Sequence, residues 1–190
     1  YRIRAEGHNT LVLNPGTGPD QEVGALSRFE RVRLEGSTPT AVLDLSPAYR
    51  GHAGSVKRGF ALVDRKGLAI RDELRGGRDA PFWWFMHTRA DIVLEGEGRM
   101  AMLNLAGERL RARILAPDKA QFTVMRADPL ASSPHPRGAD PNANYRKLAI
   151  HLEHVTDLDL AVVLDLMPAK DQEPPPITMR CAAQWREPWN

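Results

Sequence analysis

The residues of this 190-residue chain with most chemical potential are its histidines, led by the triplet His8-Asn9-Thr10. The triplet stands directly before the β-prone run Leu11-Val12-Leu13, which stops at Asn14-Pro15-Gly16. An imidazole at the lip of a strand can enter a zinc site, where neutral His nitrogens and carboxylates converge in a near-tetrahedral set. His8 is thus a candidate metal ligand, set against the ordinary reading of a lone His before a strand as a surface or hydrogen-bonded core residue. A wider constellation, His8 with Asp44 and His87, also has side chains that suit zinc, each on or beside a predicted strand. The plainer alternative is that Asp44 caps a turn and His87 packs beside Trp84.

Other candidates weigh differently. Tyr49 and Arg58 are residue types that can abstract a proton and hold a developing negative charge. Tyr49 follows Pro47-Ala48, which favours packing over a strand end, and Arg58 opens a strand where it can bridge to Asp44, Asp72 or Glu73. Trp83 and Trp84 are adjacent on a strand and point to opposite faces, so one can stack on a sugar while the other fills the core. Burial of both is the expectation we favour. His151 and His154 are an odd number apart and cannot readily share one ion on a strand. The single Cys181 excludes an internal disulfide and any cysteine-based zinc knuckle.

The elements that must position these residues are strands. Runs such as Ala41–Leu45, Arg58–Asp64, Gly67–Asp72, Phe82–Thr88 and Leu158–Leu164 are short, β-prone and bounded by Gly, Asp or Pro. Asp64-Arg65-Lys66-Gly67 and Glu95-Gly96-Glu97-Gly98 read as hairpin connections. Ten or more such strands and no long helical period mean an all-β sandwich or barrel, of which a large antiparallel two-sheet β-sandwich is the expectation. Ala161-Val162-Val163-Leu164, apolar on both faces, belongs at the centre of a sheet. Asp128 to Asn144 reads as a long surface loop. The sandwich is expected over residues 1–167. Residues 168–190, with Pro174-Pro175-Pro176, Trp185 and Trp189, are expected to form an extended tail docking on the sandwich or a neighbouring domain.

Composition narrows the classes. The net charge of +2, from 26 basic and 24 acidic residues, is interspersed, so nucleic acid is not expected as the main partner. A local arginine groove for acidic polysaccharide needs no large net charge. No apolar run approaches the roughly 18 residues of a membrane span.

Several phrases, in order, give the chain a resemblance to the C-terminal β-domain of heparinase II/III-like polysaccharide lyases. They are Gly7-His8-Asn9-Thr10 with Gln21, Asp44-Leu45-Ser46-Pro47-Ala48-Tyr49, Val56-Lys57-Arg58, Asp72-Glu73 and Trp84-Phe85-Met86-His87-Thr88. The resemblance spans roughly residues 5 to 165. It implies β-sandwich layers joined to an upstream α/α toroid, and cleavage of uronic-acid polysaccharide by β-elimination with the main catalytic residues on the toroid. It implies zinc, held by His8 together with a His and an Asp of an upstream segment. It also implies an acidic polysaccharide substrate and a periplasmic or secreted setting. A stand-alone carbohydrate-binding or scaffolding module is the alternative, followed by a cupin-like metal barrel built on His8, Asp44 and His87.

Overall fold

The computed structural model describes residues 1, 3–136 and 142–167. Its strands are β1 (Leu11–Leu13), β2 (Arg28–Arg33), β3 (Thr40–Asp44), β4 (Ser55–Val63), β5 (Gly67–Arg75) and β6 (Ala80–Thr88). They continue as β7 (Asp91–Glu95), β8 (Met100–Leu105), β9 (Glu108–Ala116), β10 (Phe122–Arg126), β11 (Arg146–Val155) and β12 (Leu158–Leu166). Two 3-10 turns, Ala5–Gly7 and Ser46–Tyr49, are the helical elements among the described residues. The strands form a four-stranded sheet, ordered β1-β6-β11-β10, and an eight-stranded sheet, ordered β2-β3-β4-β5-β12-β9-β8-β7. All pairings are antiparallel, so the chain is the expected all-β sandwich.

Alternation builds the core. Leu11, Leu13, Phe82, Trp84, Leu148 and Ile150 face inward from the small sheet, against Val56, Leu74, Leu160, Val162 and Ile114 of the large one. Strand β12 lies between β5 and β9, and its two-sided apolar run matches that central place. The hairpins follow local turn chemistry. Asp64 and Arg65 adopt left-handed φ values of 48° and 56°, and Ala106-Gly107 adopt 52° and 87°. Such pairs of positive φ match the right-handed twist of the flanking strands.

Two parts differ from the sequence expectation. Strand β2 is an added edge strand, exposed along its whole length. A bulge places Glu30 as the extra residue, because Phe29 pairs with Leu43 and Arg31 with Val42. The apolar residues Phe29 and Val32 therefore share a face although they are three apart, which hides the period of two. The loop after β10 is the second difference. Leu130 and Ser133 are buried, and with Ala5 they cover the outer face of the small sheet over Phe85 and Ala149. Residues 137–141 of that loop, and the tail with Cys181, Trp185 and Trp189, lie outside the described residues.

The large sheet is wider than the small one. Phe29, Val32 and Leu62 point to the inner side yet are 62%, 50% and 37% exposed, because the small sheet ends at β1 and does not reach them. Val23, Leu26 and Leu34, in the loops flanking β2, are exposed as well. The result is an apolar shelf beside the β1 edge.

Candidate functional site

The described residues from Tyr1 to Thr10 lead into β1 and are tied to the sandwich at several points. The 3-10 turn closes with the His8 amide donating to the Ala5 carbonyl. The Arg4 guanidinium donates to the carbonyls of Gly16 and Gly18 and pairs with Asp20. Glu6 is fully buried, and its Oε2 accepts from the Leu130 amide at 2.9 Å and from Ser133 Oγ at 3.1 Å.

Asn9 and Thr10 are struts. The Asn9 carbonyl accepts from Arg58 Nη1 at 2.9 Å, and its Oδ1 accepts from the His87 amide at 2.7 Å. The Thr10 carbonyl accepts from the Phe85 amide. Fully buried Tyr49 donates its hydroxyl to the Leu11 carbonyl at 2.7 Å and accepts from Gln21 Nε2 at 2.8 Å. His8 itself, held on both sides by this network, is exposed. The site candidate is thus a single solvent-facing imidazole whose chain neighbours are hydrogen-bonded to the sandwich just before β1.

His87 lies beside it. Its Nε2 is 2.7 Å from the Tyr1 hydroxyl and its Nδ1 is 3.3 Å from Asn9 Oδ1. Because Asn9 Oδ1 already accepts from the His87 amide, it accepts from Nδ1–H too, which leaves Nε2 to accept the Tyr1 proton. Burial, with the charges of Lys147 and His8, holds the imidazole down to about 4, so it is neutral near pH 7. Lys147 is fully buried, donates to the Asp128 carbonyl at 2.7 Å and lies 4.6 Å from the centre of the Phe85 ring. Burial brings its ammonium down to about 8, against the opposing pull of Glu6 and Asp128. Burial also raises the Tyr1 and Tyr49 phenols.

The wider constellation does not assemble. Among the described residues no three His, Cys, Asp or Glu side chains come together to hold a metal, so His8, Asp44 and His87 are not a shared site. Asp44 Oδ1 instead accepts from the Ser46 amide at 2.9 Å and caps the 3-10 turn. Burial works to raise its pKa, but the Ser46 hydrogen bonds with Lys57 and Arg28 outweigh it and hold the carboxyl low. The cupin-like reading falls with this triad. Tyr49 and Arg58 are sequestered between the sheets, Arg58 against Asp72, and serve the mount. Trp84 is in the core and Trp83 is part-buried on the opposite face, with His151 stacked on it at 3.9 Å. His154 is exposed near Asp79. The sequence reading did not single out Lys147, which looks in the chain like a polar strand terminus before Leu148-Ala149-Ile150.

Comparison with solved structures finds this sandwich elsewhere. The heparinase III BT4657 gene product matches 88% of this chain with a TM-score of 0.64 and 15% identity. The heparan sulfate lyase HepC from Pedobacter heparinus matches 90%, with a TM-score of 0.66 and 11% identity. This chain spans about a quarter of those proteins, 24% and 25% of their lengths. No family profile matches the chain, and no curated protein matches its sequence. The β-sandwich fold is thus one that these structures share. Among the described residues no helix is long and apolar enough to cross a membrane.

Proposed function

We propose that this chain is the β-sandwich part of a polysaccharide lyase that cleaves uronic-acid-containing polysaccharide by β-elimination. Its main catalytic residues lie on a helical toroid preceding it in the polypeptide. The observation that carries the reading is the exposed His8, mounted by Arg58, His87 and Tyr49 at the edge of a sandwich shared with heparan sulfate lyases. Among the described residues no three His, Cys, Asp or Glu side chains gather to hold a metal, so His8 would need ligands from elsewhere. A His and an Asp from the upstream segment would complete the set, and zinc so held would add positive charge and folding stability at the domain junction. The apolar shelf of Phe29, Val32 and Leu62 suits such a junction, since contiguous exposed apolar surface marks interaction sites.

The test uses the full-length polypeptide, assayed for zinc content and for release of unsaturated uronate from heparan sulfate and alginate. His8→Ala should lower zinc content and stability together. Full metal occupancy in that variant overturns the role of His8. No unsaturated product from any uronide overturns the lyase reading and moves the carbohydrate-binding module to the front.

A further inference from the structure

The two ends of the eight-stranded sheet have opposite character. Its order runs from β2 to β7, and among the described residues neither end strand has a partner on its far edge. Every residue of β2 is exposed, and on β7 only Ile92 is partly covered. On β2, Phe29 and Val32 point to the core side, while Arg28 and Arg33 point to the outer side. On β7, Ile92 and Leu94 lie opposite Leu103 and Ala101 of the core, so Asp91 and Glu95 point outward. One end thus carries arginines on its outer side and the other carboxylates. Each has two apolar residues on its inner side.

The register matches as the charges do. The bulge takes Glu30 out of the ladder, so β2 presents Arg28, Phe29, Arg31, Val32 and Arg33 in sequence. Strand β7 presents the same number, Asp91 to Glu95. Laid antiparallel, Arg28 meets Glu95, Phe29 meets Leu94, Val32 meets Ile92 and Arg33 meets Asp91. The large sheet also permits that direction. Its strands alternate, and their number is even, so β2 and β7 of one molecule run opposite ways. A second copy carried along the sheet with its core side kept inward therefore brings β7 antiparallel to β2. Pairing of like edges is opposed. Two β2 strands would set Arg28 against Arg33, and two β7 strands Asp91 against Glu95, and like charges directly opposite each other destabilise a pair.

We infer that β2 of one molecule pairs with β7 of a second copy, joining their large sheets head to tail. Backbone hydrogen bonds between the edges supply affinity, and the apolar and ionic pairs fix the register. Strand β10 lies beside β7, and its Val124 is 41% exposed, so the incoming copy also brings Val124 to the margin of the apolar shelf. The contact is heterologous and builds a ring or an open row, not a two-fold dimer. A single strand pair is small for an interface, so the association is weak and depends on concentration. It does not rest on the lyase reading.

The test is sedimentation velocity of the full-length polypeptide over about a hundred-fold range of concentration. The average mass should rise with concentration, and less so at high salt. Arg28→Glu/Arg33→Glu and Asp91→Arg/Glu95→Arg should each weaken association by about ten-fold or more. Mixing these two variants, or combining all four changes in one chain, should restore it, because opposite charges meet again. Misfolded chains could not give that rescue. A wild-type chain that stays monomeric throughout, a closed dimer, association that survives both double variants, or no rescue on mixing would each overturn the inference. A monomer whose β2 amides resist hydrogen exchange would overturn it too, and would name another part of the same polypeptide as the strand's cover.

Discussion

Arg58 and Asp72 form a two-point ion pair between the sheets, Nε to Oδ1 at 2.6 Å and Nη2 to Oδ2 at 2.9 Å. The third arm of the same guanidinium holds the Asn9 carbonyl, so the pair couples the interior of the large sheet to the mount of His8. Burial opposes the charge on Arg58, but Asp72 outweighs it and holds the pKa above its ordinary value. Removing one partner of such a pair strands the other. Asp72→Asn should therefore destabilise the fold by about 3–5 kcal/mol in urea unfolding. The double variant Arg58→Met/Asp72→Leu should recover much of that loss. It should still speed hydrogen exchange at Asn9 to Leu11, because the Asn9 carbonyl loses its donor.

The Tyr49 hydroxyl has a similar structural duty. Tyr49→Phe leaves the Leu11 carbonyl and Gln21 Nε2 without their partner, at a cost of about 1–3 kcal/mol. If Tyr49 only supports the mount, this variant melts earlier while the full-length polypeptide keeps its turnover at temperatures well below the melt. Loss of turnover at unchanged stability would return Tyr49 to the list of catalytic groups.

Gly77 is a tight point in the sandwich. A Cβ there would meet the Val155 carbonyl at 2.8 Å and Leu74 Cδ2 at 2.9 Å. The nearer obstacle is backbone, and the Gly77 amide already donates to the Thr156 carbonyl at 2.7 Å. Gly77→Ala should cost on the order of 2 kcal/mol, read as a lowered urea midpoint, whereas Gly16→Ala, with open space around it, should be close to neutral.

Much of the fold was legible because most of its strands keep the period of two and stop at turn residues. Strand β12 shows this well, since Leu158, Leu160 and Val162 are buried as the pattern requires. Strand β2 was not legible, because the bulge at Glu30 breaks the period and the arginines around it read as loop. The edge at His8 could be picked out from the order of a few phrases. Which acid pairs with Arg58 could not, because Asp44, Asp72 and Glu73 are all near in sequence and only the register, Arg58 opposite Asp72, decides. The burial of Leu130 and Ser133 in the loop over the small sheet was not legible for a related reason. Its burial depends on Glu6, 124 residues away from Leu130, and no local composition reports that contact.

Lys147 gives the sharpest dependence on pH. Its folded pKa of about 8 lies below the ordinary lysine value of 10.5, so the folded chain releases this proton more readily than the unfolded one. Between those values the unfolded state binds more protons, and stability rises with pH. The contribution is fully present above 10.5 and is lost as pH falls through 8. Tyr1 acts the other way above pH 10, because its raised phenol stays protonated in the fold, and that stability is lost as pH rises. The clean window is therefore pH 7 to 9.5. Across it the urea midpoint of the wild-type chain should rise by the equivalent of about 2 kcal/mol relative to Lys147→Met. That variant also removes the cost of a buried ammonium at pH 7, and apolar contact with Phe85 and Tyr1 offsets the lost bond to the Asp128 carbonyl. Parallel curves for the two proteins would show that Lys147 stays charged in the fold and that its place over the aromatic rings is an ordinary ion contact.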